Sequence, residues 1–226
     1  MNTISSIKGR RLNIILASVA IPLIVFLDQT IKVYVKTDFL LHEQRKVFSW
    51  MYLYFIENGG MAFGADFMGT TILSVARILF IGLLVWYLVK LVRYRVPHGY
   101  VLCIAMVIAG AVGNIIDNAF YGLIFSESGD FDVASFVPFG SGYAGFMAGK
   151  VVDMFYMPII DTYLPASWPI AGGMHFVFFA PVFNLADASI TTGALACLIF
   201  YRKYMVSFNR LRPYSDGRNQ GEDEKD

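Results

Sequence analysis

Four stretches of the chain carry almost nothing but apolar residues, and each is marked by a single charge. Leu12 to Leu27 is uncharged, and Asp28, Gln29, Thr30 and Ile31 carry the run on to Lys32. Thr70 to Val89 is apolar except at Arg77, and Gly99 to Ile116 is uncharged and stops at Asp117. Between Met174 and Tyr201 the only charge, with His175 neutral, is Asp187. A helix that crosses a bilayer needs about 20 mostly apolar residues at a rise of about 1.5 Å each. The pattern therefore predicts four transmembrane helices over about 12–33, 70–90, 98–117 and 182–201. Between the first two, alternation from Phe48 to Tyr54 predicts one or two short strands, punctuated by Gly59-Gly60. The 118–181 segment is rich in Gly, Pro, Phe and Tyr and too long to be structureless. Amphipathic or re-entrant pieces at the membrane surface are expected there, with Tyr163 and Trp168 at the interface. The tail 215–226 is polar and charged, and disorder is expected. The fold class that follows is an all-α membrane protein of one integral domain over 1–226, with a small β-rich outer segment and an outer helix/loop insertion.

Composition sharpens this. Of 226 residues, 57% are apolar or aromatic and only 15% are charged, against about 25% in a soluble domain. That balance excludes a disordered chain, a coiled coil and a collagen-like chain. With 18 Lys and Arg against 17 Asp and Glu, no basic surface is available for nucleic acid. Cys103 and Cys197 fall inside spans and read as small core residues. The short basic segments around Lys8–Arg11, Lys90–Arg95 and Arg202–Arg212 place both termini and the 90–97 turn in the cytoplasm by the positive-inside rule. Segments 34–69 and 118–181 then face outward, although Lys36, Arg45 and Lys46 in the first weaken the asymmetry there. The first apolar run exceeds a secretory h-region of about 7–15 residues, so an uncleaved anchor is expected.

Under this topology Asp28, Arg77, Asp117 and Asp187 fall at one depth, just inside the outer leaflet. Ionisable groups in spans are costly and are functional candidates by default. Asp28 or Asp117 alone is more simply a helix end at the interface, and Arg77 more simply a neutralising partner. Asp187, between Ala186 and Ala188 and near Asn184, needs partners inside the bundle. Two carboxylates in a partly dry site cannot both ionise cheaply, and a water held between them can be activated against a carbonyl. His42, His98 and His175 are scattered without metal-ligand spacing, no Ser lies in a G-x-S-x-G setting, and there is no phosphate-binding loop. Neither metal nor cofactor is expected.

Five blocks occur in order along these spans: Asp28-Gln29-Thr30-Ile31-Lys32; Glu57-Asn58-Gly59-Gly60-Met61-Ala62-Phe63-Gly64; Gly110-Ala111-Val112-Gly113-Asn114-Ile115-Ile116-Asp117; Gly149-Lys150-Val151-Val152-Asp153; and Phe183-Asn184-Leu185-Ala186-Asp187. Together they resemble the signature blocks of the lipoprotein signal peptidase (signal peptidase II) family. The resemblance implies an aspartyl endopeptidase of the bacterial inner membrane with its active site on the periplasmic side. Such an enzyme removes the signal peptide ahead of a diacylglyceryl-modified cysteine. It implies Asp153 and Asp187 as the catalytic pair, a choice that the spans alone leave open between Asp153 and Asp117. Asp28, Lys32, Asn58, Gly60, Gly110, Asn114, Asp117, Asn184 and Ala186 are implied as supporting or substrate-contacting positions. The implied partners are prolipoprotein signal peptides and membrane lipids, with the protein expected to be a monomer.

The chain departs from the family pattern twice. Asn118 stands where the family carries Arg, with Arg77 as a candidate substitute. Asp117 and Asp153 are 36 positions apart, so 121–148 reads as an insertion, with another between 157 and 179. The alternative reading is a small proton-coupled transporter or channel using Asp28, Asp117 and Asp187 as a relay, or a membrane scaffold. A relay needs charges at several depths, whereas these cluster on one side.

Overall fold

The first apolar run folds into one helix, α1 (Thr3–Asp38), longer at both ends than the apolar stretch predicts. The computed structural model describes residues 3–59 and 67–206; Gly60, Met61–Gly64 and the tail 215–226 lie outside the described residues. The remaining elements are β1 (Gln44–Phe48), β2 (Met51–Asn58), α2 (Phe67–Leu91), α3 (His98–Ile116), a π-helical turn (Asp117–Tyr121), α4 (Gly122–Ile124), β3 (Val151–Tyr156), β4 (Ile160–Tyr163), β5 (His175–Phe178), β6 (Val182–Phe183), α5 (Leu185–Phe200) and α6 (Arg202–Val206). Among the described residues two helical stretches, Lys8–Asp38 and His98–Ile124, are long and apolar enough to cross a membrane. The described residues are mostly helical, with a small antiparallel sheet.

Several boundaries move, each for a physical reason. The helix through α3 does not stop at Asp117 but continues as the π turn and α4 to Ile124. The fourth apolar helix starts at Leu185 rather than 182, because Val182 and Phe183 are taken by the sheet as β6. The 118–181 segment holds no amphipathic or re-entrant helix beyond α4 among the described residues. It supplies coil from 125 to 150 and then three strands, β3 to β5, with β6 following directly after it. Its Gly and Pro content disfavours helix, and the β-branched and aromatic runs Val151-Val152 and Ile160–Tyr163 fit a pleated surface better.

The chain divides into two units. The first comprises α1 up to Phe26, Val75–Gly113 and the chain from Ala186. Its core joins Ala17 of α1, Leu88 and Leu91 of α2, Tyr100, Val101, Ile104, Ala105 and Ile108 of α3, and the two buried thiols Cys103 and Cys197. Tyr87 and Tyr100 share a hydroxyl–hydroxyl hydrogen bond of 2.6 Å. Helices α3 and α5 meet backbone to backbone at two glycines. A Cβ on Gly110 would lie 2.2 Å from the Ala186 carbonyl oxygen, and one on Gly193 would lie 2.7 Å from that of Cys103. Small residues let apolar helices approach closely where no hydrophobic drive separates protein from lipid.

The second unit comprises Leu27–Ser74 and Asn114–Leu185. Its sheet runs β1-β2-β3-β6, all antiparallel, and β4 with β5 form a separate pair. Val35 and Phe39 of α1, Phe55, Tyr121, Phe125, Val152 and Met154 form its core. The coil after α4 folds back on it: Val137, Gly140, Tyr143 and Ala144 donate their N–H groups to carbonyls of Ile124, Leu123, Phe125 and Gly122.

Gly110→Ala should lower the midpoint of thermal unfolding in detergent, because overpacking against backbone costs about 1–3 kcal/mol. Gly82→Ala, on α2 where a Cβ meets nothing within 4 Å, should leave it unchanged or raise it. Equal effects from the two substitutions would contradict the α3–α5 contact.

Candidate active site

Asp28, Lys32 and Lys36 follow one another at i, i+4 and i+8 along α1, which puts them on one helical face. Lys32 is fully buried. Its ammonium lies 2.9 Å from Asp28 Oδ2 and 2.7 Å from Asp117 Oδ2, and donates to Asn114 Oδ1 at 2.8 Å. An ammonium has three donors and no acceptor, so these three oxygens use it completely. Gln29 Nε2 donates to Asp117 Oδ1 at 2.8 Å and to Asp28 Oδ2 at 3.2 Å, while its own oxygen accepts from the Tyr121 hydroxyl at 3.2 Å. The Val152 N–H reaches Asp117 Oδ2 at 3.4 Å. Asp117 thus accepts from a lysine, an amide and a backbone N–H. Its place in a π turn, with wider spacing than an α-helix, is typical of functional segments.

The network continues to the other predicted residues. Asn184 Nδ2 donates to Asn114 Oδ1 at 3.2 Å, to the Val152 carbonyl at 3.4 Å and to Asp153 Oδ1 at 2.7 Å. One hydrogen-bonded line therefore runs Asp28–Lys32–Asn114–Asn184–Asp153, with Asp117 beside it. Asp153 is 5% exposed, sits on β3 opposite Ile56 of β2, and lines a cleft of about 650 Å³ together with Asn58. Asn58 ends β2 and is exposed. Gly110, Ala186 and Asp187 belong to the helical unit: Ala186 is fully buried against Gly110, and Asp187 is half-buried in the first turn of α5. A carboxylate there is favoured by the helix dipole. Gly60 lies outside the described residues.

Asn118, next in the π turn, makes its own arrangement. Asn118 is buried; its Nδ2 donates to the Gly149 carbonyl at 2.8 Å, and the Gly149 N–H returns to the Asn118 carbonyl at 2.9 Å. A Cβ on Gly149 would lie 2.2 Å from the Asp117 carbonyl oxygen, so only glycine fits where the insertion rejoins the π turn.

A second ionic cluster lies one turn further along α1; Glu57 and Lys150 stand in the sequence blocks, whereas Lys36 and Ser128 lie outside them. Lys36 is fully buried, pairs with Glu57 of β2 and donates to Ser128 Oγ at 2.9 Å. Ser128 Oγ donates to Glu57 Oε1 at 2.9 Å, and Lys150 faces Glu57 Oε2 at 3.3 Å. The Lys36 ammonium also sits 4.9 Å from the Tyr143 ring and 5.4 Å from the Phe125 ring, within cation–π range. The available signal was the helical spacing of Lys36 from Lys32, together with Glu57 beside Asn58. Ser128 and Tyr143 come from the coil between α4 and β3 and carry no signal of their own.

Burial by itself would push the Glu57 carboxyl up; the Lys36 charge and hydrogen bond, with Ser128 and Lys150, outweigh it and hold the group below the usual carboxylate range. A depressed carboxyl adds stability in full above its unfolded value of about 4.3 and loses it as pH falls through the folded value. The unfolding midpoint in detergent should therefore drop on acidification below about pH 4, and Glu57→Gln should flatten that part of the profile. Lys36→Met strands a buried carboxylate and should cost about 3–5 kcal/mol. An unchanged midpoint for Lys36→Met would show the pair to be solvated.

Residues 20–203 match the family model described as Signal peptidase (SPase) II. The lipoprotein signal peptidase of Porphyromonas gingivalis is 44% identical over 183 residues, covering 80% of this chain and 80% of that one. The lipoprotein signal peptidase of Amoebophilus asiaticus is 31% identical over 178 residues, covering 76% and 71%. A solved structure titled as a bacterial membrane enzyme, determined in meso at 2.3 Å, superposes with a TM-score of 0.53 at 21% identity, over 85% of this chain and 88% of that one, which establishes a shared fold. With a family match across most of its length and relatives at this identity, the chain belongs to the signal peptidase II family of aspartic endopeptidases.

Proposed function

We propose that this protein is a four-span enzyme of the bacterial inner membrane that cleaves the signal peptide from diacylglyceryl-modified prolipoproteins, using Asp153 and Asp187 as a water-activating pair. Both termini lie in the cytoplasm and the site lies on the periplasmic side, as the distribution of Lys and Arg favours. Large apolar residues stand exposed along α1 (Ile15, Val19, Leu23, Phe26), α2 (Leu79, Leu83, Trp86) and α5 (Leu195, Leu198, Ile199). Surfaces so apolar suit hydrocarbon rather than water.

The observation that carries the reading is the hydrogen bond from Asn184 to Asp153. Asn184 stands three residues before Asp187 in the chain, and three residues extend at most about 11 Å. The residue that holds one carboxylate is thus tethered to the other by the first turn of α5. The same amide is bonded to Asn114, which the buried Lys32 holds in turn, so the position of Asp153 is fixed from several elements. Asp28 and Asp117 are saturated by Lys32 and Gln29 and serve as supports.

Two neighbouring carboxylates share a proton because both cannot ionise cheaply, and the pair titrates as a unit. The ionised member takes a proton from water as it attacks the scissile carbonyl, and the protonated member hydrogen-bonds the carbonyl oxygen. The tetrahedral intermediate then collapses, the C–N bond breaks and the amine of the modified cysteine leaves with a proton returned by the pair. The signal helix and the two acyl chains stay in lipid while the bond before the modified cysteine reaches the pair. Exposed Asn58, on the cleft that Asp153 lines, offers a carboxamide able to donate to and accept from an extended substrate backbone.

Asp153→Asn and Asp187→Asn should each lower cleavage of a diacylglyceryl-modified peptide by the purified protein about 10²–10⁴-fold, with the unfolding midpoint kept. The wild-type rate should follow a bell-shaped pH profile. Retained processing by both Asn variants would refute the pair.

A further inference from the structure

The cleft that holds Asp153 is larger than a scissile bond needs, and its far end is aromatic. Asp153, Asn58 and Ile56 line one end, while Tyr54, Tyr156, His42 and Gln44 line the other. A bulge makes this end. Leu53 pairs with Phe155 and Ile56 with Asp153, so Tyr54 and Phe55 stand together opposite Met154. Bulges next to active sites re-aim side chains. Phe55 stays in the core while the Tyr54 ring comes to 6.0 Å from that of Tyr156, at 64°. His42 completes the wall in a left-handed backbone conformation, φ 65°, held by its N–H to the Phe55 carbonyl at 2.9 Å, with its ring 6.5 Å from that of Tyr54. A non-glycine residue kept at positive φ costs energy and is a mark of functional surfaces.

We propose that this tyrosine-lined end is the subsite for the residues that follow the lipidated cysteine, the mature side of the substrate, and that it takes them as an extended peptide. The inference rests on the peptidase reading above. Chemistry assigns the side. The signal segment is an apolar helix and the acyl chains are hydrocarbon, so lipid holds both. What remains to fill a half-polar cleft bordered by His42 and Gln44 is the polar mature segment, still unfolded as it leaves the membrane. Asp153 and Tyr156 are three residues apart on β3, about 10 Å at strand spacing, which is room for about three extended residues. Tyr rings bind such segments with little sequence demand, through backbone stacking and hydroxyl hydrogen bonds. The subsite therefore adds affinity common to many substrates.

Two diacylglyceryl-modified peptides test this, one ending directly after the modified cysteine and one carrying four further residues. Wild-type protein should cleave the longer with a kcat/KM about tenfold higher, most of it in KM. Tyr54→Ala with Tyr156→Ala should bring the ratio between the peptides towards one, and the corresponding Phe pair should keep most of it. A ratio near one in the wild type, which needs no variant to fold, would overturn the subsite while leaving the peptidase intact. So would an undiminished ratio in the Ala pair. Failure of the wild type to cleave either peptide would overturn the peptidase reading and the subsite together.

Discussion

The buried ammonium of Lys32 holds the second unit together at its charged centre. Two carboxylates, Asp28 and Asp117, lie within 3 Å of it, and all three groups are withdrawn from water. Desolvating such groups costs several kcal/mol each unless every hydrogen-bonding position is used. Here they are used: Asn114 takes the third lysine proton, and Gln29 and the Val152 N–H complete Asp117. The cluster therefore locks α1, the π turn and β3 into one relation. Asp153, one residue past Val152, inherits its position from that lock.

The same device recurs one helical turn on, with a different purpose. Lys36 joins α1 to β2 through Glu57 and to the inserted coil through Ser128. The long segment between Asp117 and Asp153 has to return to the π turn before β3 can be placed beside it. One side-chain and one backbone hydrogen bond between Asn118 and Gly149 close this segment at its base, and the Lys36–Glu57–Ser128 contacts pin it further out. The buried Asn118 carboxamide donates to the Gly149 carbonyl at that closure.

The helical unit solves a different problem. Its helices present apolar faces outward, so their association rests on close approach and a few polar contacts. Gly110 and Gly193 give α3 and α5 that approach, and the first turn of α5, with Asp187, is set by the fit of Ala186 against Gly110. Supporting glycines and alanines in the sequence blocks act here through packing, in agreement with their side chains having no chemistry to offer.

Hydrophobic periodicity was enough to find the helices, because an apolar run of this length has few other stable forms, and the sparse charges within them marked the site for the reason that burying them is costly. Asp28, Asp117 and Asp187 were legible in this way, whereas Lys32, Asn114, Asn184 and the choice of Asp153 came from the resemblance of the five sequence blocks to the family. Helix ends were not, since the π turn at Asp117 and the capture of Val182–Phe183 by the sheet depend on partners distant in sequence. The strand character of Val151–Tyr156 was equally hidden: β3 forms only because β2 and β6 are there to pair with it. Glu57, Ser128 and Gly149 gained their roles from contacts across the fold that no local pattern encodes. Composition and spacing determined which groups had to be buried and satisfied; only the tertiary structure decided which oxygen met which nitrogen, because that choice is made by the approach of segments separated by tens of residues.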